Sequence, residues 1–248
     1  MVFKGDTERQ AILRDRMIKK RTGTKRNRYV SKILHVLKPG MRLLDIGCGT
    51  AHIIQGLAMR YKSAIFIGLD ISPAMLKIAS KNTMNLHNVI LVEGDGLNLP
   101  FPDCSFDIVT VRLAEFSPEE VYRVLKKGGY FLEYEVGPEA NKEIVEFFPD
   151  RIEKDNFFIP ECLSTWKEEV VQKIKNVGFI VESIEDYREK EYYSSEEELM
   201  DLIEMVPLVK DFNRKKDRER ISELAEKYKE KNGIKITWHY YIVEARRV

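Results

Sequence analysis

Between Met41 and Val136 short apolar runs alternate with stretches of helical length, and glycine or proline marks the changes between them. Arg42–Ile46 (RLLDI) lies between Pro39-Gly40 and Gly47-Cys48-Gly49, so it reads as a buried strand. Thr50–Tyr61 follows as a helix with Ile53, Ile54, Leu57 and Ala58 on its apolar side, and Ala64–Asp70 is a second strand. Ser72-Pro73 supplies an N-cap and a proline for the first helical position, opening a helix through Met84. Val89–Glu93 and Phe106–Val111 are further strands, Ser117-Pro118 starts a helix through Leu125, and Lys126–Gly129 turns into a fifth strand, Tyr130–Val136. Strands joined by helices of this length need crossover connections, the pattern of a parallel sheet covered on both faces.

The flanks are read with less regularity. Residues 6–37 are helical in pattern, broken at Gly23, with a second helix over Tyr29–Leu37. Beyond Gly137 come a helix at Thr165–Asn176, a strand at Phe179–Tyr187, helices at Ser195–Met205 and Lys216–Lys231, and a last strand at Lys235–Ala245. A length of 248 residues suits one elaborated domain, 1–248, with an N-terminal helical segment 1–40, a core 41–136 and a helical insertion 188–233 before the last strand. That insertion reads either as a cap over a site or as a surface helix pair.

Composition narrows the function classes. Formal net charge is +1 with 33% charged residues, which argues against a chain that coats nucleic acid. A basic run remains: Arg14, Arg16, Lys19, Lys20, Arg21, Lys25, Arg26 and Arg28. It reads as a solvated helix face or as an anion- or RNA-binding arm. The three cysteines, Cys48, Cys104 and Cys162, lie far apart, so neither a disulfide framework nor a zinc site is expected. His35, His52, His87 and His239 are isolated in sequence, and no metal is expected. With no leader pattern and no apolar run of membrane-spanning length, the expected location is cytoplasmic. Scarce Gln among abundant Lys and Glu hints at a thermophile.

The junction Asp45-Ile46-Gly47-Cys48-Gly49-Thr50-Ala51 leaves a strand and enters a helix. Glycines at 47 and 49 let backbone N–H groups and the helix N-terminus approach a ligand. A nicotinamide fingerprint would want glycine or alanine three residues after Gly49, where this chain has His52. Asp70 ends the second strand, about 20 residues on, where a carboxylate can accept two ribose hydroxyls or cap the next helix. Asp95, in Glu93-Gly94-Asp95-Gly96-Leu97, is a base-reading carboxylate or a turn residue.

These pieces resemble motifs of class I S-adenosylmethionine (SAM)-dependent methyltransferases. DIGCGTA is similar to the glycine motif of that family, with Ala51 where a third glycine is usual. Glu93–Leu97 with Leu99-Pro100-Phe101 resembles its second acidic motif, and Ser105–Val109 and Arg123–Gly129 resemble architectural segments. The resemblance covers residues 41–136 and implies a Rossmann-like, seven-stranded, mostly parallel sheet with helices on both faces. It also implies an enzyme that passes the methyl of SAM to an acceptor and releases S-adenosylhomocysteine. Gly47, Cys48 and Gly49 would lie under the amino-acid part of SAM, and Asp45 would organise that loop. Asp70 would hold the ribose, Ile71 would pack on the adenine, Asp95 and the Gly96 amide would read its edge, and Leu97 would wall it. Arg112 completes the expected cofactor set, with an acidic acceptor or an ion pair to Glu115 as other uses. Leu113, Glu115, Glu135 and Gly137 are candidates to line the acceptor. The expected acceptor is a small molecule, with an RNA or protein methyltransferase, or a SAM-binding protein without turnover, as alternatives. Methyl transfer is a direct displacement, so no nucleophile is needed and no catalytic residue is named.

Overall fold

The computed structural model describes residues 7–21, 28–152, 164–206 and 208–248. Gly23, Lys25, Arg26 and Cys162 lie outside the described residues. In chain order the elements are α1 (Glu8–Arg21), α2 (Arg28–Val36), β1 (Arg42–Ile46), α3 (His52–Arg60), β2 (Ile65–Asp70), α4 (Pro73–Thr83), β3 (Val89–Glu93) and β4 (Phe106–Arg112). They continue with α5 (Pro118–Val124), β5 (Leu125–Val136), α6 (Lys142–Phe147), a 3-10 turn (Pro149–Arg151), α7 (Trp166–Asn176) and β6 (Phe179–Tyr193). The last elements are α8 (Glu196–Met205), α9 (Arg218–Lys227), β7 (Lys229–Glu230) and β8 (Gly233–Arg247). Among the described residues no helix is long and apolar enough to cross a membrane.

The chain forms two compact units. The larger comprises Val2–Glu135, Ser164–Glu185 and Ile242–Val248, and the smaller Val136–Leu163 and Asp186–Tyr241. Strand order in the sheet is β3-β2-β1-β4-β5-β8-β6, and β7 pairs with β8. β1 lies parallel to β2 and β4, β2 to β3, and β4 to β5. This is the mostly parallel α/β sheet expected, seven long strands with the two-residue β7 added. Successive strands run outward from β1 to β3 and then restart on the other side at β4. That reversal opens a crevice beyond the carboxyl ends of β1 and β4, where sheets of this kind take ligands.

The core of the larger unit explains the strands. Leu43, Leu44, Ile46, Phe66, Ile67, Leu69, Ile108, Val109 and Val111 are all buried, and an unbroken apolar run is what a strand covered on both faces requires. Ser72 and Ser117 cap α4 and α5 by accepting from the Met75 and Glu120 amides, at 3.3 and 3.1 Å. Asp107 accepts from the Arg42 amide at 2.8 Å and pairs with Lys126 at 2.8 Å, pinning the starts of β1 and β5. Arg123 donates to the carbonyls of Leu99 and Phe101 at 3.0 and 2.7 Å and pairs with Glu120 and Asp103. The two segments without assigned chemistry thus bind the loop after β3 to α5.

Several boundaries differ from the sequence reading, and α6 and β7 are elements that it did not contain. β5 begins at Leu125, because Leu125 pairs with Phe106 and a register shift before Ile108 absorbs Lys126–Gly129 as an irregularity inside the strand. β6 continues to Tyr193, through a charged run that alternates in burial. α9 stops at Lys227, since Lys229 and Glu230 pair with Ile234 and Gly233 instead. α6 is short enough to leave little periodic signal. Within the smaller unit, Arg151 pairs with Asp217 at 2.6 Å, Arg214 bridges Asp201 and Glu204, and the Arg220 guanidinium lies 4.7 Å from the Phe148 ring centroid.

Candidate functional site

All ten residues singled out for cofactor binding lie in the larger unit, at the ends of β1, β2, β3 and β4 or in the loops that follow them. After β1 the chain turns through Gly47, Gly49 and Ala51 at φ of +68°, +55° and +62°. Glycine takes these values without strain, whereas alanine pays for its Cβ. The Gly47 and Cys48 amides both donate to the Leu69 carbonyl, at 2.8 and 3.0 Å, and the Gly49 amide donates to Asp70 Oδ2 at 2.7 Å. The loop is therefore clasped to the end of β2. Cys48 is buried in this clasp, and burial with the Asp45 and Asp70 charges pushes its thiol well up, so it packs as a small neutral group.

Asp70 joins the two loops. Its other oxygen accepts from the Ser72 amide at 2.9 Å, so one buried carboxylate orders both the turn after β1 and the entry to α4. Asp45, 3% exposed, accepts from the Thr110 hydroxyl of neighbouring β4 at 2.8 Å. Burial raises its pKa to about 6, against the opposing effects of the Thr110 hydrogen bond and the Arg112 charge. After β3, Asp95 Oδ1 accepts from the Leu97 amide at 2.9 Å, and its carbonyl accepts from the Asn98 amide at 3.2 Å. This fixes a turn with Asp95 and Ile71 half-buried and Leu97 45% exposed.

The segment after β4 packs against two of the glycines. A side chain at Gly47 would run into the Cβ of Ala114, and one at Gly96 into the carbonyl of Glu115. The Ser117 amide donates to the Gly96 carbonyl at 3.2 Å. Arg112 and Glu115 do not pair: Glu115 is exposed and no ion pair joins them. Glu135 and Gly137 belong to different units; in the smaller, Gly137 sits against the His239 ring and donates its amide to the His239 carbonyl at 2.8 Å.

Several residues at this end of the sheet carry no sequence motif. Tyr29, fully buried, shares its hydroxyl proton between the Val111 and Leu132 carbonyls at 3.0 and 3.2 Å, tying α2 to β4 and β5. Thr110 could have been noticed as the lone hydroxyl in the apolar run Phe106–Val111. Thr50 and His52 have a buried Oγ1 and Nδ1 without hydrogen-bond partners. Burial, reinforced by the Arg112 charge, lowers the His52 pKa to about 3, so its imidazole is neutral. Buried polar atoms without partners, beside a backbone loop of positive φ, suit a polar ligand with both donors and acceptors.

Comparison with known proteins bears on the same stretch of the chain. Residues 43–129 match the family model of a methyltransferase domain. The chain is 40% identical over 101 residues to a demethylmenaquinone methyltransferase of Staphylococcus carnosus, covering 38% of this chain and 42% of that protein. It is 37% identical over 115 residues to a malonyl-[acyl-carrier protein] O-methyltransferase of Coxiella burnetii, covering 44% of this chain and 38% of that one. The matched stretch is thus less than half of either relative. A crystal structure of a putative methyltransferase from Bacillus halodurans superposes with a TM-score of 0.64 at 21% identity, over 89% of this chain and 99% of that one, which is a likeness of fold.

Proposed function

We propose, from the match of residues 43–129 to a methyltransferase-domain family model and their likeness to class I SAM-dependent methyltransferases, that this protein transfers the methyl group of SAM to a small-molecule acceptor. The observation that carries the reading is positional. At one end of the sheet, where strand order reverses between β1 and β4, stand a glycine loop, a helix N-terminus and carboxylates after β2 and β3. SAM bound there would supply a methyl already activated on a sulfonium. What the chain contributes is holding, orienting and excluding water.

In this assignment Asp70 receives the ribose hydroxyls. Two backbone amides grip its carboxylate, so its direction is set before any ligand arrives. Asp95 and the Gly96 amide read the adenine edge, with Ile71 and Leu97 against its faces. Gly47, Cys48 and Gly49 carry the amino-acid end, and nothing lies within 4 Å of where a Gly49 side chain would point. Asp45 acts from behind, through Thr110 and the start of the loop. Arg112 stands on the same side, at the tip of β4.

The acceptor is assigned to the class of small organic molecules that the names of the two curated relatives suggest. Its selection is assigned to segments beyond Gly129, where the family match ends. A reducing compartment belongs to the same proposal, since Cys48 and Cys104 are both free thiols. Calorimetry with SAM, S-adenosylhomocysteine and NAD tests the reading. The first two should bind and NAD should not, and Asp70→Ala should weaken SAM sharply. Undiminished affinity in that variant would overturn the ribose assignment, and binding of NAD alone would overturn the family's cofactor.

A further inference from the structure

Among the described residues, β3 and β6 are the two edges of the sheet, and they are built differently. β6 carries Glu182, Glu185, Arg188 and Lys190, the kind of charged side chains that keep an open edge from pairing with another strand. β3 reads Val89-Ile90-Leu91-Val92-Glu93, with no lysine, no proline and no bulge in its register with β2. It is also thinly covered for an apolar strand. All but the first residue of β1 and of β2 are buried, whereas no residue of β3 is.

The direction of the edge follows from two hydrogen bonds. The Phe66 amide donates to the Asn88 carbonyl at 2.9 Å, and the Gly94 amide donates to the Asp70 carbonyl at 3.1 Å. Backbone groups alternate along a strand, so Asn88, Ile90, Val92 and Gly94 turn theirs to β2, while Val89, Leu91 and Glu93 turn theirs outward. Around the start of β3 large apolar side chains are exposed: Met59, Ile65, Met84 by 76% and Ile90 by 52%. The Asn88 side-chain amide gathers them, donating to the carbonyls of Ala58, Tyr61 and Ala64 at 3.2, 3.1 and 3.1 Å. Apolar side chains clustered on a surface mark a place of association.

We propose that the chain pairs with a second copy of itself through β3, antiparallel, making one continuous sheet across a two-fold axis. With the axis at Leu91, Leu91 opposes itself and Val89 opposes Glu93 of the other copy. These are the residues whose backbone faces outward, so every outward N–H and C=O finds a partner at once. Ile90 of each copy then lies opposite Val92 of the other and is covered in the same step. Charge sets the direction. Exposed Lys62, Lys81 and His87 flank the entry of β3, and Glu93 and Asp95 stand at its exit. Antiparallel pairing brings the basic end of one copy to the acidic end of the other, whereas parallel pairing would set like charges together. A match of both register and charge with itself favours a second copy over a foreign strand.

Sedimentation velocity over a range of concentrations tests the proposal on the full chain, with Ile90→Lys, Val89→Pro and Ile180→Lys beside wild type. Wild type should show a species of twice the chain mass. Ile90→Lys brings an ammonium from each copy onto the joined face and should raise the dissociation constant by roughly tenfold or more. Val89→Pro removes an outward N–H and spares the ladder to β2, so it should act in the same direction. Ile180 is an exposed residue of the opposite edge, and Ile180→Lys should leave the dimer intact. Ile90→Lys alters only an exposed side chain, so it decides the matter by itself should thermal unfolding show Val89→Pro to be unfolded. Amide exchange at Val89, Leu91 and Glu93 should slow as wild type enters the dimer. A wild type that stays monomeric up to about 100 μM overturns the proposal. So does a dimer that Ile90→Lys leaves intact, one that Ile180→Lys dissociates equally, or one in which Leu91 exchanges as fast as in the monomer.

Discussion

Replacing Gly47 and Gly49 singly by alanine separates what the loop does for folding from what it does for binding. Both residues sit at positive φ, +68° and +55°. An L side chain there costs roughly 1–2 kcal/mol, of which the stiffer unfolded chain returns about 0.4–1 kcal/mol. The backbone alone therefore takes about 1 kcal/mol from either variant. Gly47 carries a second penalty, because the new methyl would lie deep inside van der Waals contact with the Ala114 Cβ, with the Ala114 Cα at 3.6 Å and the Arg112 carbonyl at 3.7 Å. Ala114 cannot move away freely, since the segment holding it is tied to Gly96 through the Ser117 amide. Overpacking of this kind adds roughly 1–3 kcal/mol. Gly47→Ala should lose about 2–4 kcal/mol in urea unfolding, and Gly49→Ala about 1 kcal/mol. Binding should rank them differently. The open side of Gly49 is where the cofactor is assigned, so its methyl should weaken S-adenosylhomocysteine by roughly tenfold or more at little cost in stability. Equal stability losses in the two variants, or a Gly49→Ala protein that binds like wild type, would refute the reasoning.

Asp45→Asn should stabilise the protein at neutral pH while weakening SAM. The folded pKa of Asp45 is raised from 3.8 to about 6, so its contribution is whole below pH 3.8 and is lost as pH rises through about 6. The gain in unfolding free energy should be about 3 kcal/mol at pH 7.5 and roughly half that at pH 5, and a gain that does not shrink on acidification would count against it. Tyr29→Phe removes a buried hydroxyl shared by the Val111 and Leu132 carbonyls, so a loss of about 1–3 kcal/mol is expected by thermal or urea unfolding. His239 is buried, accepts the Glu139 amide at Nδ1 at 3.2 Å and faces Asp186 through Nε2 at 3.2 Å, an arrangement that needs the neutral ring. Burial, then the Arg188 charge, holds its pKa below 6.5, so the stability it confers is present above that pH and lost as pH falls through the folded value. Amide exchange at Glu139 should accelerate on acidification in wild type, and an unchanged rate at low pH would contradict this.

The strands of the core were legible because burial on both faces writes itself as apolar runs bounded by glycine and proline. Arg42–Ile46 and Val89–Glu93 have the boundaries that pattern gives, and the serine caps of α4 and α5 stand where Ser72-Pro73 and Ser117-Pro118 put them. Legibility failed where pairing with a distant strand overrides local pattern, as at Leu125, which the Phe106 partnership draws into β5, and at Lys229, which β8 draws out of α9. In the site, motifs located the carboxylates but not their partners. Asp45 and Thr110 are 65 residues apart, and Gly49 and Asp70 are 21 apart, beyond the reach of any helical or strand period.

The sequence by itself determined the alternation of strands and helices, and with it a parallel sheet, a glycine loop leaving β1 and acidic residues after β2 and β3. Each of these is a local property, set by side-chain periodicity or by the dihedral freedom of a few residues. Only the tertiary structure decided that the loop hangs from Leu69 and Asp70, that Ala114 closes against Gly47, and that the Arg112 charge at the end of β4 acts on buried Asp45. Those outcomes depend on which distant groups share a crevice once the sheet is assembled, since hydrogen bonds and charges act on distance in space.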